Sequence, residues 1–118
     1  MHDTTLRRHK LTVDDFHRLG QAGILAETDR VELIDGELID MAPIGSRHAE
    51  CVSRLTRLLV RQTGAVVRVQ DPIRLPRHSQ PQPDIAVVRP GDYGRAHPGP
   101  ADVLLLIEMA VELAGVLS

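Results

Sequence analysis

The sequence predicts an α/β fold of the α+β kind, a mixed sandwich of one sheet with one or two helices. Three observations predict it. Two windows carry helical periodicity between capping signals, an Asp-Gly pair separates two short apolar runs, and three β-type runs follow in the second half with no helical window between them. The order is helix, hairpin, helix and then three strands, which excludes an alternating doubly wound fold. Residues 1–118 are read as a single domain, because a chain of this length builds about one core.

The first helix comes from "LTVDDFHRLG". Thr12 is suited to the N-cap, Asp14 and Asp15 to the positive end of the helix dipole, and Gly20 or Gly23 to the stop. In "RVELIDGELIDM" the Asp35-Gly36 pair is a strong turn signal between Val31, Leu33 and Leu38, Ile39, so a β-hairpin is expected. After "APIGS", Ser46 is expected to cap a second helix from about His48 to Gln62, with Gly64 as its stop. At 3.6 residues per turn, Cys51, Val52, Leu55, Leu58 and Leu59 share a broad apolar face, with Cys51 expected in the core, while Arg47, Arg54, Arg57 and Arg61 share another.

The period then changes. "AVVRVQDPIRL" reads as a strand whose Pro72 implies a bulge, bend or edge; "DIAVV" and "DVLLLIEMA" read as two more. Between the last two lies "RPGDYGRAHPGPA", a Gly/Pro-rich loop long enough to be functional or mobile.

Composition narrows the function classes. The net charge of −2 lacks the basic footprint of a dedicated nucleic-acid binder. Phe16 and Tyr93 are the sole aromatics, too few to stack unpaired bases. Cys51 is the one cysteine, which rules out an intrachain disulfide and a cysteine zinc cluster. No apolar run has the length of a membrane span and the N-terminus is not signal-like, so a cytoplasmic protein without membrane contact is expected.

The acids carry the chemistry. Asp84 opens an apolar strand after the Pro-rich "QPQP", and Glu108 closes the next strand. A carboxylate leaving water costs several kcal/mol unless something compensates it, so a positive group is expected to meet Asp84. If the two strands are neighbours, the carboxylates converge at one end of the sheet, a donor set suited to Mg²⁺ or Mn²⁺.

Four ordered blocks, "VELIDGELIDMAP", His48 opening a helix, "QPDIAVV" and "PADVLLLIEMA", resemble the Uma-two family within the PD-(D/E)XK nuclease superfamily. The resemblance runs from about Leu11 to Ala110. It implies a restriction-endonuclease-like core of a mixed sheet flanked by helices, preceded by an N-terminal helix and hairpin. It also implies metal-dependent cleavage of DNA, with Asp84 and Glu108 as metal-binding catalytic acids; Glu32, which lies in a matching block, is a candidate third acid. The superfamily's lysine, two residues past the second acid or on a following helix, has Ala110 at the near position. Lys10, in a polar and mobile-looking tail, is the one lysine in the sequence. The chain is therefore expected to be a C-terminally truncated member lacking the last helix and strands, slow or inactive, and self-associating as a dimer or larger through the uncovered third strand.

Each residue also has a plainer role. Asp84 can cap a turn, Glu108 can reach solvent, Glu32 and Glu37 fit the outward side of any hairpin, and His48 fits a surface helix start. The arginine stripe is an ordinary solvated face that could also contact DNA phosphates. Two non-enzymatic functions thus stand beside the nuclease: a non-catalytic remnant, and a DNA- or protein-binding module using the arginine helix.

Overall fold

A computed structural model describes residues 6–109. Helix α1 spans Val13–Gln21, strands β1 and β2 span Val31–Ile34 and Glu37–Asp40, and helix α2 spans Ser46–Gln62. Strands β3, β4 and β5 span Val66–Val69, Ile85–Val88 and Val103–Ile107. The α+β class holds, and every strand pairing among the described residues is antiparallel, in two small sheets: the β1-β2 hairpin and a sheet of order β3-β4-β5. No described helix is long and apolar enough to cross a membrane.

The first helix starts as its sequence dictates. The Asp15 N–H donates to Thr12 Oγ1 at 3.1 Å and the Thr12 N–H donates back to Asp15 Oδ2 at 2.9 Å, a reciprocal capping box. The hairpin turn also follows its residues: Asp35 and Gly36 have φ of 46° and 81°, the two positive values that a type I′ turn needs. Lys10 is docked rather than mobile, donating from Nζ to Asp35 Oδ1 at 2.9 Å, while the Leu11 N–H donates to the Gly36 carbonyl at 3.0 Å.

Helix α2 begins two residues earlier than expected. Gly45 is the N-cap, with ψ of 161° and no side-chain cap, so Ser46 is the first helical residue and His48 lies in the first turn. The helix stops at Thr63 instead of Gly64, where Thr63 is already extended and its Oγ1–H donates to the Leu59 carbonyl at 2.9 Å. The buried stripe is narrower than the sequence face: Val52 is buried and Leu55, Thr56 and Leu59 are half-buried, at i, i+3, i+4 and i+7. Cys51 is exposed, contrary to the core expectation, because it sits one position, about 100° around the helix, from Val52. Leu58 is exposed for the same reason.

The main sheet is centred on β4, whose Ile85, Ala86, Val87 and Val88 are all buried. Strand β3 ends at Val69 because Gln70 turns into the left-handed region at φ 54°, so Pro72 lies outside the strand. The chain then packs over the sheet, where Ile73, Ala86 and Val88 form a core cluster with Val66, Leu75, Tyr93 and Val103 against it. The 89–101 loop is pinned at several points. The Arg74 N–H donates to the Pro98 carbonyl at 2.9 Å, Arg89 N–H to the Asp102 carbonyl at 2.8 Å, and Tyr93 O–H to the Arg89 carbonyl.

Candidate metal centre

Asp84 immediately precedes β4 and Glu108 immediately follows β5. Because Ile85 pairs with Ile107 in this antiparallel register, one further step sets Asp84 opposite Glu108. The Met109 N–H donates to Asp84 Oδ2 at 2.7 Å, which ties the end of β5 to the start of β4.

Where a positive group is expected, Asp84 meets a histidine, a hydrogen-bond donor in place of a fixed cation. His48 Nε2 lies 2.9 Å from Asp84 Oδ1, and the two side chains keep only 19% and 13% of their surface. A carboxylate accepts, so Nε2 carries the hydrogen. His48 reaches Asp84 because it lies four residues before Val52, on the same buried stripe of α2.

The hairpin supplies a third wall. Leu33 is fully buried and its carbonyl accepts from the Gln80 N–H at 2.7 Å, which lays β1 along the segment leading to Asp84. Glu32 is consequently half-buried, and its Oε2 accepts from the Gln82 N–H at 3.0 Å. Glu37 instead pairs with Arg8 on the outside of the hairpin.

Glu32, His48, Asp84 and Glu108 all border one open cavity of about 630 Å³, with the start of α2 on its far side. Glu108 keeps solvent access at the rim, yet its carboxyl is held above the usual carboxylate range, first by partial burial and then by the negative charges of Asp84 and Glu32. The acids therefore repel one another across the cavity. Among the described residues, no group of three or more His, Cys, Asp or Glu side chains is placed to hold a metal ion.

A family model described as "Putative restriction endonuclease" matches residues 13–112. The chain belongs to the Uma2 family. No curated protein and no solved structure matches it.

In this Uma2 chain the cavity gathers the four acid and histidine candidates, but only one of the four stripe arginines. Arg47 borders it, whereas Arg54, Arg57 and Arg61 are exposed farther along α2, with Arg54 Nε 3.0 Å from Glu50 Oε1. Arg30, just before β1, is a second cation at the cavity that the sequence reading missed; its one signal is its place two residues before Glu32. Lys10 is at the hairpin turn, while Ala110 lies outside the described residues.

Proposed function

We propose that this chain is a Mg²⁺- or Mn²⁺-dependent endonuclease that hydrolyses DNA phosphodiester bonds. The single observation that carries this reading is the convergence of Asp84 and Glu108 from neighbouring strands, close enough that the charge of Asp84 adds to partial burial in raising the Glu108 carboxyl above its usual range. Two hard carboxylates suit these ions, which bind one or two protein carboxylates and keep several waters. Asp84 and Glu108 would hold the ion and relieve their own repulsion. The ion supplies, when bound, positive charge against the phosphoryl oxygens.

The protein's own groups do the rest. His48 and the Met109 N–H fix the two oxygens of Asp84, and Glu32, held by the Gln82 N–H, is the third acid of the wall. The first turn of α2 borders the cavity with its side-chain-uncapped amide end, a favourable place for a phosphate. Arg47 begins a line of exposed arginines leading away along α2, suited to backbone phosphates.

Cleavage by this chain is slow in this reading. Among the described residues the cations at the cavity are the guanidinium groups of Arg30 and Arg47, while the ammonium of Lys10 is engaged with Asp35. Lack of one well-placed electrostatic group costs roughly a hundredfold or more in rate. The same reading has the protein act on DNA in the cytoplasm and associate as a dimer along β5, an edge strand among the described residues, whose Leu104, Leu105 and Leu106 are about half exposed. Light scattering checks the dimer, and a monomer at high concentration rules it out.

A plasmid-nicking assay tests the activity. Slow Mg²⁺-dependent nicking is expected, lost in Asp84→Ala and unchanged in Lys10→Ala. Nicking that survives Asp84→Ala contradicts the assignment of the acids, and no nicking above the blank contradicts the nuclease itself.

A further inference from the structure

A second cavity, of about 320 Å³, lies beneath the 93–97 segment of the long loop and has the opposite chemistry. His17, Arg74, Arg95 and His97 border it with Tyr93, and among the described residues no carboxylate does. The Arg68 guanidinium, whose side chain is 16% exposed, stands 5.6 Å from the centre of the Tyr93 ring. Its buried Nε has no hydrogen-bond partner among the described residues. His97 is held below the usual histidine range, first by burial and then by the charge of Arg68. The acids around it are Asp92, whose Oδ1 accepts from the N–H of the lining Gly94 at 2.9 Å, Asp71, 3.9 Å from Arg68, and Asp14, 3.4 Å from Arg74, all three exposed to solvent. Three guanidinium groups stand near three solvent-screened carboxylates, and the cavity wall itself carries Arg74 and Arg95 without a carboxylate among the described residues.

Shared lining residues relate this basic cavity to the carboxylate one. A trough of about 740 Å³ along α1 shares His17 and His97 with the basic cavity and Gln82 with the carboxylate cavity. The trough itself also carries Glu27 and Asp29, while Arg74 and Arg95 belong to the basic cavity beyond its His17 and His97 end. Guanidinium groups match phosphate oxygens in pairs, and such contacts position a nucleic-acid strand without reading its sequence.

We propose that the cavity between Arg74 and Arg95 binds a DNA backbone phosphate other than the one attacked, setting the strand along α1 toward Asp84. The assignment to DNA rests on the nuclease reading above; the binding of a phosphate anion does not. The long Gly/Pro loop is, in this account, the arm that presents Arg95 and His97.

Two measurements on the full chain test it, both without divalent metal. The first titrates inorganic phosphate while following the ring resonances of His17, His97 and His48. Saturable shifts at His17 and His97 but not His48 are expected, and their absence overturns the anion site. The second follows binding of a fluorescein-labelled 16-base-pair duplex by anisotropy. Arg95→Ala, which removes an exposed side chain and leaves the fold intact, is expected to weaken binding by about fivefold at every sequence. The Arg74→Ala/Arg95→Ala pair is expected to lower the slope of log affinity against log salt by about 2, one per phosphate contact. Phosphate shifts with unchanged duplex affinity in both variants overturn the DNA assignment. Duplex affinity that falls as expected in a protein that nicks nothing upholds this subsite and separates its fate from that of the nuclease reading.

Discussion

His48 and Asp84 are 36 residues apart in the chain and 2.9 Å apart between Nε2 and Oδ1. The contact fastens the first turn of α2 to the open end of the sheet, and it holds Asp84 in one orientation beside Glu108. Removing the imidazole leaves a largely buried carboxylate with the Met109 backbone N–H as its donor among the described residues. His48→Ala is therefore expected to cost about 1–3 kcal/mol of stability, measured by urea unfolding. It should also weaken Mn²⁺ binding by roughly tenfold or more, as loss of a group that orients a ligand does. A variant as stable as wild type with the same affinity would show the contact to be incidental.

Glu108 makes a pH prediction. Its carboxyl is raised above the usual range by burial, Asp84 and Glu32, so the fold favours its protonated form. The protein thus loses stability as pH rises through the raised value, and metal binding strengthens over the same window because the ion displaces that proton. Glu108→Gln removes the repulsion. It is expected to stabilise the metal-free protein near pH 7 by on the order of 0.5 kcal/mol, a small gain because water screens the rim. Thermal melts from pH 4 to 8 check this; a destabilised variant at pH 7 would contradict it.

The hairpin turn offers a third prediction. Gly36 has φ of 81°, and a Cβ there would stand 2.7 Å from Lys10 Cα. Gly36→Ala meets both a backbone penalty and a collision with the segment that docks on the turn. A loss of about 1–3 kcal/mol is expected from calorimetric melting. An unchanged melting temperature would mean that the 10–11 segment is not docked there.

What the sequence disclosed followed physical range. The Thr12 cap and the Asp35-Gly36 turn were legible because their causes are local, within three residues of the effect. The apolar runs of β4 and β5 were legible by composition, and the meeting of Asp84 with Glu108 followed from the strands being neighbours. The side of α2 that faces the protein was only half legible. Cys51 and Val52 look alike as apolar residues, and tertiary contact alone buries one and exposes the other. His48 as the partner of Asp84, and Arg30 at the cavity, depend on how the hairpin and α2 dock on the sheet, which no local pattern encodes.

The central claim is that Asp84 and Glu108 together collect a divalent cation, and calorimetric titration of Mn²⁺ into wild type, Asp84→Ala and Glu37→Ala tests it most directly. Glu37 serves as the control because its carboxylate pairs with Arg8 outside the cavity. The account predicts a saturable heat in wild type and Glu37→Ala that disappears in Asp84→Ala. Equal heats in wild type and Asp84→Ala would contradict it.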